Sequence, residues 1–226
     1  LLTARARARI DARPRQPLVS VLMPTWNTDP AWLDAAIGSL RRQFYPNWQL
    51  CIADDASTRP ETRAYLEALD DPRIKVVFLT RNAGISAASN AALELATGDY
   101  VGLLDHDDEL SADALLESVA ALVGGELDLV YSDEDKIDVS GRHGDPHFKP
   151  GLSPDMLLAQ NYVCHFLVAR RDLLVRVGGF RSGFDGAQDH DLLLRLTELA
   201  QRVERIPLVL YHWRMHGGST AANPGA

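Results

Sequence analysis

Between residues 18 and 132 short apolar runs alternate with longer stretches whose apolar residues recur three or four positions apart. The short runs predict strands at 18–23, 49–54, 74–79, 100–104 and 127–132, and the longer ones predict helices at 31–43, 61–69, 86–96 and 111–122. Pro30 falls in a first helical turn and Gly98 just past a helix end, where their backbone preferences favour them. Such alternation implies an α/β fold: a mostly parallel central sheet covered by helices on both faces. Open sheets of this kind bind ligands beyond the carboxyl ends of their strands. Thr25, Asp54, Asp55, Arg81 and Asp105 fall at those ends.

After residue 132 the pattern loosens. Polar Asp133-Glu134-Asp135-Lys136 opens a Gly-, Pro- and His-rich stretch to Gly151 that reads as loop. A strand at 164–169, a helix at 171–177, a loop at 178–186, a helix at 189–199 with Leu192, Leu193, Leu196 and Leu199 on its core side, and a strand at 209–213 follow. We expect one domain over 18–220, with a nucleotide-binding half at 18–132 and an acceptor-binding half at 133–220, and a tail at 221–226. The arginines at 5, 7, 9, 13 and 15 make 1–17 a basic extension, a solvated linker or helix end, with a membrane-surface anchor as the competing reading. Leu1 at one end and Asn223-Pro224-Gly225-Ala226 at the other suggest a segment of a longer chain.

Composition narrows the function. At 226 residues and 46% hydrophobic content the chain can bury a full core. A net charge of -8 argues against nucleic acid, whose binding rests on clustered Lys and Arg. Cys51 and Cys164 lie far apart in apolar runs and read as buried free thiols, which suggests a reducing, cytoplasmic setting, with contact at the inner face of a membrane as a variant of it. No apolar run approaches the ~18 residues of a membrane span.

The chemistry concentrates at Asp105-His106-Asp107-Asp108, between the strand ending at 104 and the helix beginning near 111. Carboxylates at this density repel unless a cation sits among them, and a hard divalent ion with a phosphate ligand suits a strand end. A calcium-binding EF-hand is excluded, since Leu110 stands where that loop needs Gly and Leu116 where it needs Glu. A phosphatase-type aspartyl nucleophile belongs on a first strand, and this motif follows the fourth. A metal–diphosphate site remains, against a solvated acidic turn. Pro24-Thr25-Trp26-Asn27 offers an aromatic face for a base, Asp54-Asp55 a carboxylate for its polar edge, and Arg81-Asn82-Ala83-Gly84 a cation and a permissive glycine before a helix. Packing for Trp26 and helix capping for the acids are the bland alternatives.

Together with Val19-Ser20-Val21-Leu22-Met23 and Gln188-Asp189-His190-Asp191-Leu192, these motifs resemble the inverting, GT-A-fold glycosyltransferases of family 2, over nearly the whole chain. Two departures stand out: Trp26 where Tyr is commoner, and Gln188-Asp189 where Glu-Asp is usual. The resemblance implies a nucleotide-diphosphate sugar donor, a glycan or lipid-linked acceptor, and a Mn2+ or Mg2+ ion. It implies Asp189 as the catalytic base, with Asp191 second; Pro24, Thr25, Trp26, Asn27, Asp55, Arg81, Gly84 and Asp105 at the nucleotide; and Asp107 with His216 on the metal. Asp108 and His212 are further metal candidates, and Arg214 a diphosphate contact. A carboxylate at the base edge favours UDP or dTDP donors. Asp133 to Lys136, with His143, His147 and Lys149, is expected on the acceptor side or in a solvated loop. The absence of a Gln-x-x-Arg-Trp motif favours limited over processive sugar addition, in surface-polysaccharide assembly by analogy. The competing classes are a non-catalytic nucleotide-sugar-binding module and a metal-dependent phosphohydrolase.

Overall fold

Strand β1 (Val19–Thr25) is buried on both faces, and its alternation divides the interior in two. Val19, Val21 and Met23 join a core with Leu33, Ile37 and Leu40 of α2 (Pro30–Arg41) and Leu115, Val119 and Leu122 of α5 (Ala114–Gly125). Leu22, with Cys51 and Ala53 of β2 (Trp48–Asp54), joins Ala88 and Ala92 of α4 (Ile85–Leu95) on the other side. Helices on both faces explain why these strands carry near-continuous apolar runs. The computed structural model describes residues 2–12 and 16–217.

Among the described residues the sheet has nine strands. β3 (Ile74–Phe78), β2, β1 and β4 (Tyr100–Leu103) run parallel in that order, with α3 (Pro60–Glu67) between β2 and β3 in sequence. β8 (Leu167–Arg170) then pairs antiparallel with both β4 and β6 (Leu129–Ile137). β9 (Val203–Arg214) runs parallel to β6, and the two-residue β5 (Glu109–Leu110) pairs with β9. β7 (His143–His147) hangs on β6 as a hairpin. The short α6 (Pro154–Ala159) and α7 (Arg171–Arg176) and α8 (Gln188–Leu199) complete the second half.

The structure corrects several expectations. The basic extension is a helix, α1 (Leu2–Asp11), whose Ala6 and Ile10 are buried in the core beside α5. One side of the Arg-Ala repeat is therefore packed, while Arg5 and Arg7 face solvent and Arg7 donates to the Phe44 carbonyl at 2.8 Å. The remaining expectations for residues 1 and 13–15, the domain end at 220 and the tail at 221–226 lie outside the described residues. Asp133 to Lys136 are not loop: β6 runs through them because each acid finds a partner on a neighbouring segment. β9 has twelve residues, and β5, β7 and α6 lack the periodicity that would have announced them. Leu199 is exposed, at the last turn of α8. Both thiols are free, but only Cys51 is fully buried; Cys164 stands in the turn before β8 with φ +42°.

Candidate functional site

Two adjoining cavities lie at the carboxyl ends of the parallel strands. The larger encloses about 700 Å³ of empty space, its open mouth included, and is lined by Pro24, Thr25, Trp26, Asp55, Asn82, Gly84, Ile85, Ala88 and His106. Trp26 is 51% exposed, so its ring is a wall of this cleft and not part of the core. Asp55 is buried, and its two carboxylate oxygens accept the Ala83 and Gly84 amides at 2.8 and 2.9 Å. The acid thus shapes the loop before α4 while presenting an edge to the cleft. Gly84, at φ +92°, leaves no room for a Cβ, which would collide with the Asp185 carboxylate; Asp185 in turn accepts the Ser86 amide at 3.3 Å at the start of α4.

The second cavity, about 490 Å³, shares Pro24 and Ile85 with the first and adds Ser89, Asp105, Cys164, His165, Phe180, Gln188 and Asp189. Asp105 and Asp189 therefore face one space. Asp189 occupies the first turn of α8, and its Oδ2 accepts Asn161 Nδ2 at 2.8 Å. Asn161 also accepts the Cys164 amide through Oδ1 at 3.2 Å, so one amide side chain couples the acid to the turn that carries His165.

The acidic loop is braced from β9. The Asp105 amide donates to the Tyr211 hydroxyl at 3.2 Å, and that hydroxyl donates to Asp108 Oδ2 at 2.6 Å. Asp108 Oδ1 accepts the Arg214 amide at 2.7 Å, while the Arg214 side chain donates to the Asp107 carbonyl at 2.7 Å and to Glu109 at 2.5 Å. Burial, reinforced by the charges of Asp105 and Asp107, pushes the Asp108 carboxyl well above its ordinary range. Asp107 meets His216: Nε2 and Oδ2 are 2.7 Å apart, with the imidazole packed on Trp32 at 4.1 Å between ring centroids.

His165 stands between Asp105 (3.4 Å) and Glu134 (3.3 Å) and stacks on Tyr211. Burial disfavours its charged form, but the two carboxylates outweigh that and raise its pKa well above the usual value. Burial likewise raises the Glu134 carboxyl, and the hydrogen bonds and charges of His165 and Lys149 overcome it, bringing the pKa down to about 2. The Lys149 ammonium, fully enclosed, donates to Glu134 at 3.0 Å and to the carbonyls of Val163 and His165.

The structure thus gathers Pro24, Thr25, Trp26, Asp55 and Gly84 at one cleft, Asp105 and Asp189 at the next, and Asp107 with His216. Other sequence candidates go elsewhere. Asn27 stitches β1 to the loop after β2, accepting the Thr58 and Arg59 amides at 2.8 and 2.9 Å. Arg81 is exposed and outside both linings; Asn82 is the member of its motif that faces the cleft. Asp108 and Arg214 are buried braces; Arg214 is engaged by the Asp107 carbonyl, Asp108 and Glu109 instead of facing a diphosphate site, whereas Asp105, Asp108 and His165 each offer a donor atom within 4.8 Å of the others, a set that could hold an ion. Asp191 is held by Arg181 and Arg195, and the Arg181 hydrogen bond leads in lowering its pKa, so it is a structural ion pair and not a second base. His212 bonds Asp135 at 2.6 Å instead of approaching Asp107. On the expected acceptor side, Asp133 is held by Arg205 and the Lys149 amide, and Glu134 and Lys149 are buried together. Sequence reasoning missed His106, Asn161, Cys164 and His165, which sit in turns where no periodicity operates; the polarity of Asn161 and His165 beside apolar Val163 and Phe166 was the available signal.

The chain is 47% identical over 212 residues to the uncharacterized protein y4gI of Sinorhizobium fredii, covering 92% of this chain and 23% of that one. It is 42% identical over 215 residues to the O-antigen biosynthesis protein RfbC of Myxococcus xanthus, covering 94% and 17%. The chain therefore spans less than a quarter of the length of these curated relatives. Among solved structures, S. aureus TarS 1-349 in complex with UDP-GlcNAc superposes with a TM-score of 0.74 at 22% identity, covering 91% of this chain and 60% of that one. The mannosyltransferase PcManGT of Pyrobaculum calidifontis, in complex with GDP-Man and Mn2+, gives 0.69 at 21% identity, covering 98% and 71%. These neighbours share the GT-A fold. The model of glycosyl transferase family 2 matches residues 20–178, and the chain belongs to that family.

Proposed function

We propose that this domain transfers a glycosyl group from a nucleoside diphosphate sugar to a hydroxyl of a glycan or lipid-linked acceptor, with inversion at the anomeric carbon and with a divalent ion, Mn2+ or Mg2+. The observation that carries this reading is the junction of the two cavities, with Asp105 and Asp189 in one and Trp26 and Asp55 in the other. A donor lying across Pro24 and Ile85 would place its base against Trp26 and its sugar before Asp189.

In that pose Asp189 takes the proton of the acceptor hydroxyl as its oxygen bonds to the anomeric carbon, and the diphosphate leaves with the electrons of the broken C–O bond. Asn161 holds Oδ2 of Asp189, which leaves Oδ1 to receive the proton. Asp107 and His216 would hold the ion, a carboxylate and an imidazole that leave most of its coordination sphere to diphosphate oxygens and water. Bound there, it supplies Lewis-acid stabilisation of the departing charge. Asp55 at the base edge favours a uridine or thymidine donor. The UDP and UDP-GlcNAc complexes of TarS and the GDP-Man and Mn2+ complex of PcManGT support a nucleotide-sugar donor and an ion. RfbC, and the chondroitin synthase of Escherichia coli at 30% identity, support polysaccharide assembly as the setting. Among the described residues no helix is long and apolar enough to cross a membrane. We place the domain on the cytoplasmic side, where nucleotide sugars are made.

The test is incubation with UDP-, dTDP- and GDP-sugars, Mn2+ or Mg2+ and acceptor glycans, following the products. Metal-dependent release of a nucleoside diphosphate with a glycosylated acceptor supports the reading. Release of inorganic phosphate would point to a phosphohydrolase, and tight donor binding without any product to a binding module.

A further inference from the structure

Away from both cavities, a second set of ligand-type side chains converges on three adjacent strands. Asp135 of β6 and His212 of β9 are direct register partners, and β7 flanks β6 on its other edge with His143 at its first position. The β6·β7 register shifts between Glu134 and Lys136, placing Asp135 at the irregularity. A bulge re-aims the side chain it carries. Here the carboxylate comes to lie between two imidazoles: His212 Nδ1 is 2.6 Å from Oδ1, and His143 Nδ1 is 3.0 Å from Oδ2. The rings stand edge to face, with centroids 4.5 Å apart at 83°.

We propose that Asp135, His143 and His212 form a second metal site, for Zn2+ or a similar borderline divalent ion, that fastens the β7 hairpin to the sheet. One donor atom from each residue lies within 4.8 Å of the others. Donors on one zinc ion, at bonds of about 2.0–2.2 Å in tetrahedral geometry, stand about 3.3–3.6 Å apart, so the 2.6 and 3.0 Å carboxylate–imidazole contacts would open by less than about 1 Å to admit the ion between them. Two imidazole nitrogens and one carboxylate oxygen suit zinc and its neighbours, whereas Mg2+ and Ca2+ favour oxygen-only sets. Asp135 and His212 are largely enclosed and rooted on sheet strands, while His143 is 52% exposed, so a fourth position opens to water.

The consequence concerns the hairpin. All five residues of β7 are exposed, so little apolar packing holds it down. An ion shared by three strands would tie its first residue across β6 to β9. Two residues past its end is Lys149, whose ammonium holds Glu134 and, through it, His165.

The test uses Zn2+ alone as probe, in the Asp107→Ala chain, so that the Asp107–His216 pair does not contribute. Metal-depleted Asp107→Ala protein is expected to bind Zn2+ by calorimetry, with slowed amide exchange over residues 138–147. Adding His143→Ala or His212→Ala should weaken that binding at least about tenfold, the lower end of what disturbing a metal shell costs. His143 is half exposed, so its removal leaves the core intact, which circular dichroism would verify. Zn2+ binding absent from Asp107→Ala, or unchanged by both histidine substitutions, would overturn the site. Binding without slowed exchange would overturn its role at the hairpin.

Discussion

Asp107 and His216 are separated by 109 positions in the chain, and their side chains meet at 2.7 Å. β9 makes the meeting possible. Its Tyr211 and Arg214 take hold of the Asp105 to Glu109 loop through side chain and backbone, and the strand's exit delivers His216 to the loop's second acid. A loop fixed this way holds Asp105 and Asp107 in place without having to order them on binding, which limits the entropic cost of ligand capture.

If Asp107 and His216 hold the ion, Mn2+ should strengthen UDP or dTDP binding in the wild-type chain, and Asp107→Ala should abolish that enhancement. His216→Ala should weaken it at least about tenfold. Calorimetry with and without chelator measures both, and metal-independent affinity in the wild type would remove the ion from the mechanism.

Asp189→Asn should keep the melting temperature and donor affinity while lowering transfer by about 10² to 10⁴, the usual contribution of a positioned general base. Asp191→Asn should do the reverse in part: it removes the charge that Arg181 and Arg195 share, so the melting temperature falls. Near wild-type transfer in Asp189→Asn would reject the assignment.

Trp26 is a wall of the larger cleft with half its surface exposed. Trp26→Ala should weaken donor binding by about 1–3 kcal/mol, the scale of base–aromatic stacking, with little change in melting temperature. Unaltered affinity would mean that the base lies elsewhere.

Glu134 carries a pH dependence whose sign is set by its lowered pKa. Its folded value is about 2 against an ordinary 4.5. The unfolded chain thus binds the proton more readily, so the stabilisation is full above about pH 4.5 and is lost as pH falls towards 2. Glu134→Gln should flatten the stability–pH curve in that window. At neutral pH it should destabilise by about 3–5 kcal/mol, because Lys149 is left buried without its counter-charge. Urea unfolding across pH 2–7 measures both, and an unchanged slope would contradict the assignment.

The local pattern was enough for the α/β alternation over residues 18–132, for the acidic loop after the fourth strand, and for an acid at the start of a late helix. Each of these is written in neighbouring residues: burial of one helix face or of both strand faces imposes a period, and strand ends fall where it stops. Trp26, Asp55, Asp105, Asp107 and Asp189 were legible for the same reason, since each sits at the junction of an element and a motif. What the tertiary structure alone decided is the fate of polar groups whose partners are remote. Whether His212 or His216 reaches Asp107 depends on how β9 lies against β5 and β6, and four residues along the chain were enough to send one histidine to Asp135 and the other, just past the strand's end, to the acidic loop. Arg214 looked like a diphosphate contact and Asp191 like a second base until their partners appeared; Asp133 to Lys136 looked like loop because a buried charge paired across strands has the same sequence as a solvated one. Composition and period record how much of a face is buried, whereas a charge is assigned its role by whichever opposite charge the fold brings within hydrogen-bonding distance.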